Sequence, residues 1–378
     1  MKRQNAQLPS SHTKPARAGA LCRPHRDRLQ RGFTLAEMMI TMVLGTVVAI
    51  GAFHIHATFQ YSLHRQDEIT RIQGTMKVTR QLLERRIRPA GAGMTGTVSH
   101  WCGGQTQMGP FVFHNSNVIG QKDLTGGNAD NDPDWFEIMA ADMSRNGNLT
   151  SSHPVTSVVK DLTNPTYFQP GTLFGLKNAN GVCILMVTDV KMNKDGTGTI
   201  SYQQGGDPLW QCYNNAQWKQ DCRNDVLKSN DLPAGSEILN FGAGTFGMRI
   251  DSSKPAVPVL MMASGVAGGN ALLYDWQPLA MHVEDLQIAL HLDTSVPADE
   301  MGDIWVNDRD LTDAELGRVR SVRVSIVFRS ASEIPGWRAG RRPALEDRPA
   351  ANTTDGYIRR VMTTVIKLRN RVEEAPVP

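Results

Sequence analysis

Few residue patterns in this chain could do chemistry. No G-x-S-x-G, Walker A or H-E-x-x-H pattern occurs in its 378 residues, so the local signatures of serine hydrolases, P-loop proteins and zinc peptidases are missing. Asp130-Asn131-Asp132-Pro133-Asp134 offers oxygen ligands of the kind calcium takes. Pro133 interrupts it and the rest of a calcium loop is lacking, so a solvated turn is expected there. His54, His56 and His64 are read as interfacial polar residues, and no metal site is expected. The residue out of place is Glu37, the one charge between Phe33 and Phe53, a run of 21 residues. A carboxylate within hydrocarbon is costly unless a cation meets it. The chemistry implied at Glu37 is therefore charge pairing rather than catalysis.

The apolar run can span a bilayer as a helix, at a rise of about 1.5 Å per residue. Before it, residues 1–32 carry eight basic side chains and one acid, a net charge of +7, while the rest of the chain has 32 basic and 36 acidic residues, a net of −4. The basic flank stays in the cytoplasm by the positive-inside rule, so the bulk of the chain lies across the membrane. With the flank set aside the remainder is mildly acidic, and the overall pI gives no argument for nucleic-acid binding.

The helix continues past the membrane. Residues 54–88 have no proline and one glycine, Gly74. Ile69, Ile72, Met76, Leu83 and Ile87 form one apolar stripe at helical spacing. Pro89-Ala90-Gly91-Ala92-Gly93 should stop it. From residue 90 onward, short apolar runs alternate with Gly-, Asn- and Asp-rich gaps. The clearest strand sets Val322, Val324, Ile326 and Phe328 against Arg323, Ser325 and Arg329, as in a half-buried antiparallel strand. Leu286, Ile288 and Leu290 face inward in a similar one. The gaps, 330–352 among them, are expected to be long surface loops.

Five cysteines are present. The four beyond the basic segment suit disulfides in an oxidising compartment, with free buried thiols as the alternative. Cys212 and Cys222 lie close together in a polar loop, which favours that pair and leaves Cys102 with Cys183, one of three possible pairings.

Gly32-Phe33-Thr34-Leu35-Ala36-Glu37 resembles the class III signal of type IV prepilins. The segments VCILMVTDV, MHVEDLQIALHLD, VRSVRVSIVFRS and RRVMTTVIKLRNR, in that order, resemble PilW-like minor pilins. The resemblance implies an α+β pilin-like fold: a leader over 1–32, an amino-terminal helix over 33–89 (33–53 transmembrane, 54–89 amphipathic), and a β-rich extracytoplasmic domain over 90–378. The helix would pack on an antiparallel sheet with long loops. It implies that a prepilin peptidase cuts between Gly32 and Phe33 and methylates the new amine, and that Glu37 pairs with such an amine during assembly. A 32-residue leader is long for that family. The implied function is structural, a minor pilin that primes assembly at or near a pilus tip, with no catalytic residues and no cofactor. Implied partners are other minor and major pilins, the inner-membrane assembly platform and a tip adhesin. The alternatives are a type II secretion pseudopilin and a DNA-uptake pilin. The latter would bind nucleic acid through Arg338–Arg348, a stretch read instead as a flexible loop.

Overall fold

The computed structural model describes residues 34–94, 97–99, 111–114, 133–155, 158–203, 216–228, 231–242, 246–251, 256–264, 276–295, 302–307 and 317–369, with a few single residues between. Helix α1 (Leu35–Ile87) runs unbroken over 53 residues, as its lack of proline allows. Pro89 follows its last turn, and Gly91 and Gly93 both take positive φ. At Gly93 a Cβ would also fall 2.9 Å from Met143 Sδ, so both the backbone conformation and the space require glycine. The chain divides into two compact units, one ending at Phe59 and one beginning at Gln60. In the first, every described residue is exposed.

In the second unit the strands are β1 (Thr97–Ser99), β2 (Phe111–His114), β3 (Trp135–Ile138), β4 (Gly147–Asn148), β5 (His153–Pro154), β6 (Val158–Leu162), β7 (Leu173–Lys177), β8 (Gly181–Met186), β9 (Asp189–Met192) and β10 (Gly198–Ser201). After helix α2 (Ala216–Asp221) come β11 (Asp231–Leu232), β12 (Glu237–Asn240), β13 (Phe246–Asp251), β14 (Val259–Ser264), β15 (Gln277–Met281), β16 (Val283–Leu292), β17 (Ile304–Val306), β18 (Val319–Arg329) and β19 (Arg359–Lys367). They form sheets ordered β1-β8-β7-β12-β4, β6-β10-β9, β11-β5, β15-β14-β13-β3-β2 and β17-β16-β18-β19. The pairings are antiparallel except that of β1 with β8.

Two cores result. In the first, Ile72, Leu83 and Ile87 of α1 join Leu286, Ile288 and Leu290 of β16, Val322, Val324, Ile326 and Phe328 of β18, and Phe136 and Phe246 from the sheet of β3 and β13. Of the stripe read from the sequence, Ile72, Leu83 and Ile87 are buried, Met76 packs partly buried against the core and Ile69 is half-buried, with Thr79 as an added buried member. Leu83 is fully buried. Leu83→Ala is expected to cost about 2–5 kcal/mol, as buried leucines do; a denaturant midpoint checks this, and a loss below about 1 kcal/mol would mean that α1 is not held by this stripe. The second core is built by residues 139–245, with Leu162, Phe174, Leu176, Leu185 and Ile238 at its centre. This stretch leaves the β3 sheet after Ile138 and rejoins it at Phe246, directly opposite Ile138. It is thus an insertion between two adjacent strands.

The strand pattern needs one correction. The face of β16 and β18 that should meet solvent is largely covered: Asp285, Gln287, Ser325 and Arg329 are buried together with the apolar face. The cause is the segment between β18 and β19, expected to be a flexible surface loop. Arg342 Nη1 donates to Asp285 Oδ2 at 2.9 Å and Arg348 Nη1 to Asp285 Oδ1 at 2.6 Å. Arg323 makes a two-pronged bond to Glu346, and Arg359 bonds Glu284 and Asp355. Ile334 and Leu345 of the segment are buried. It is a strap fastened by ion pairs. Burial opposes the charge on Arg359, but its hydrogen bonds to Asp355 and Glu284 more than offset this and raise its pKa. The same guanidinium holds the Asp355 carboxyl below its ordinary pKa.

Candidate assembly interface

The helix start is organised by Thr34 and Glu37. The Thr34 amide and hydroxyl both donate to Glu37 Oε2 at 3.0 Å, and the Glu37 amide donates to Thr34 Oγ1 at 3.2 Å. This is a capping box: each residue satisfies an amide that the first helical turn leaves open. The T-x-x-E spacing was visible in the sequence as the signal for it. Glu37 therefore holds its own helix start and keeps a carboxylate at the helix's positive end, where an amine could replace or share the Thr34 bonds. Gly32 and Phe33 lie outside the described residues. After Glu37 the helix shows Leu35, Met38, Met39, Ile40, Met42, Val43, Leu44, Val47, Val48, Ile50 and Phe53 all exposed. An 18-residue window of mean hydropathy 2.0 has none of its residues covered by the rest of the chain. Such a surface has to be covered by lipid or by other helices.

The remaining sequence candidates fall differently. Cys183 is bonded to Cys222, with Cα atoms 5.7 Å apart. This replaces the expected pairings of Cys222 with Cys212 and of Cys183 with Cys102. Cys183 sits in the middle of β8 and Cys222 just past α2, both fully buried in the second core, so packing of the insertion brings together residues that the sequence keeps 39 apart. Cys102 and Cys212 lie outside the described residues, as do Asp130, Asn131 and Asp132. His54, His56 and His64 are exposed on α1, and among the described residues no group of three His, Cys, Asp or Glu side chains is placed to hold a metal. G-x-G-x-x-G spacing occurs at 91–96 and 242–247. The first follows a helix and the second runs into β13, whereas a dinucleotide fingerprint follows a strand and opens a helix. In the Arg338–Arg348 stretch, Arg342 and Arg348 are committed to Asp285, which removes them from any phosphate-facing role.

A cleft that the sequence did not announce lies where α1 ends. Arg85, Arg88 and Arg369, with the acids Glu84 and Asp142 and the apolar Pro89, Ala92 and Met143, line a volume of about 740 Å³. The Arg369 amide donates to the Arg88 carbonyl at 3.2 Å and so joins the end of β19 to the end of the helix.

Residues 248–370 match the family of Type IV Pilus-assembly protein W. Residues 27–53 match the prokaryotic N-terminal methylation motif. No curated protein and no solved structure matches the chain. The first match covers β14 to β19 and most of β13, the part of the chain on which the stripe of α1 packs. The second covers the start of α1 and the residues before it. A methylation motif near one end, a PilW match over residues 248–370 and a long apolar-to-amphipathic helix packed on antiparallel sheet together support a PilW-like type IV pilin with a class III signal.

Proposed function

We propose that the protein is a minor pilin that helps to prime type IV pilus assembly at or near the tip, and that it is not an enzyme. The observation that carries this is Glu37: a capped carboxylate opening the helix, the one charge between Phe33 and Phe53, inside the methylation match. The leader, residues 1–32, is removed between Gly32 and Phe33 by a prepilin peptidase, and the new amine is methylated. The amine is cationic, and Glu37 of this chain or of a neighbour meets it. In a low-dielectric medium that attraction is strong and sets how subunits register. Before assembly the protein is a single-pass inner-membrane subunit with residues 90–378 in the periplasm. Its partners are other minor and major pilins, the assembly platform and a tip adhesin; nucleic acid is not among them.

The test is the mature amino terminus, measured by mass spectrometry in cells containing a prepilin peptidase. The expected terminus is N-methylated Phe33, lost in Gly32→Ala. An uncut chain, or a cut near Ala52, would make this an ordinary anchored or secreted protein.

A further inference from the structure

The carboxy-terminal sheet ends on β19, and among the described residues this strand pairs only with β18. The register is unbroken from Arg329 opposite Arg359 to Ser321 opposite Lys367. At its two ends the Ser330 amide donates to the Ile358 carbonyl and the Leu368 amide to the Arg320 carbonyl. Bonded and non-bonded pairs alternate along an antiparallel ladder. The even-numbered residues of β19 therefore bond β18, while Val361, Thr363, Val365 and Lys367 turn their amides and carbonyls outward along the edge. Their side chains are exposed, Val361 at 40% and Val365 at 57% for the two apolar ones.

Natural sheets blunt such edges with proline, bulges, shortness or a covering segment. The other edges here follow that rule. β17 has three residues, and β15 carries Pro278 and a register shift. β19 has nine residues, no proline and no bulge. Its charge is one-sided: Arg360 and Lys367, followed by Arg369, with no acid in the strand. Arg369 leads into the cleft that Arg85 and Arg88 also line, where the acids Glu84 and Asp142 pair with Arg80 and Arg145.

We infer that the open edge of β19 docks an extended acidic segment of a partner protein, which adds to the sheet as a further strand with its carboxylates against Arg360, Lys367 and Arg369. Main-chain bonds to Val361, Thr363, Val365 and Lys367 give affinity, and the basic residues select the partner. The inference stands whether or not the protein primes a pilus.

The test uses the full chain in detergent micelles and a fluorescein-labelled peptide, Glu-Glu-Val-Thr-Val-Thr-Val-Glu-Glu, read by anisotropy. Saturable binding is expected, weaker in high salt and absent for the same peptide with lysine in place of glutamate. Val365→Pro removes an outward amide without touching the β18 ladder and should weaken binding by about tenfold or more, as should the double change Lys367→Glu with Arg369→Glu. Near-ultraviolet circular dichroism confirms that each variant folds. No saturable binding would overturn the inference. Binding indifferent to Val365→Pro yet lost with the charge reversal would also overturn it, by placing the peptide in the cleft alone. A dimer abolished by Val365→Pro, without peptide binding, would assign the edge to a second copy.

Discussion

Asp285→Ala is expected to lower the stability of the second unit by about 3–5 kcal/mol, the cost of breaking a buried ion pair by removing one partner. Asp285 is fully buried and meets two guanidiniums from the strap, Arg342 and Arg348. Its Oδ1 also accepts from Gln287 at 3.1 Å. Its removal takes the countercharge from two arginines that stay under the strap, and burial already pushes the Arg342 pKa down. The expected readout is a large fall in the urea midpoint together with increased amide exchange over 334–349. Replacing all three residues by apolar ones of similar size, Asp285→Leu with Arg342→Met and Arg348→Met, should recover most of the loss, because no buried charge is then left unmatched. A loss under about 1 kcal/mol for Asp285→Ala, or a triple variant no better than the single one, would show that the strap is held by Ile334 and Leu345 rather than by charge.

That strap also shows what the sequence could and could not tell. Val322, Val324, Ile326 and Phe328 alternate cleanly, and the strand, its inward face and its antiparallel class were legible from them. The other face was not, because Arg323 and Ser325 look the same in sequence whether they meet water or Glu346, and Arg329 whether it meets water or the Ala256 carbonyl. Alternation reports polarity, and only tertiary contact decides whether a polar face is wet. The helix was legible along its whole length, since a missing proline and a 3.6-residue stripe are local facts. The insertion of 139–245 was not, because nothing local announces that Phe246 returns to the strand left at Ile138. At the amino terminus one glutamate in an apolar run points to a charge partner without any structure. What the structure adds is its reciprocal bonding with Thr34, which keeps the helix closed down to its first turn.

The cysteines failed for the same physical reason as the insertion, and they give the other large expected effect. Nearness along the chain favours Cys212 with Cys222, because short loops close at the least entropic cost. The folded insertion instead carries Cys222 onto β8 beside Cys183, joining residues 39 apart in sequence. Closing a loop of that length restricts the unfolded chain by about 4 kcal/mol. Cys183→Ala, Cys222→Ala and the double variant should therefore each lose about the same amount, roughly 2–4 kcal/mol, with no further loss when the two are combined, because either change alone opens the loop. Excess dithiothreitol should bring the wild type down to the same level and leave the variants unmoved. Exchange protection should fall over 173–186, where Phe174, Leu176, Cys183 and Leu185 belong to the second core, well before it falls over 322–328, which belongs to the first. Peptide mapping without reduction should recover the fragment bearing Cys183 joined to the one bearing Cys222. A fragment joining Cys212 to Cys222, or losses that add in the double variant, would return the pairing to the one that chain distance favours. It would also mean that the insertion is held by its apolar core alone.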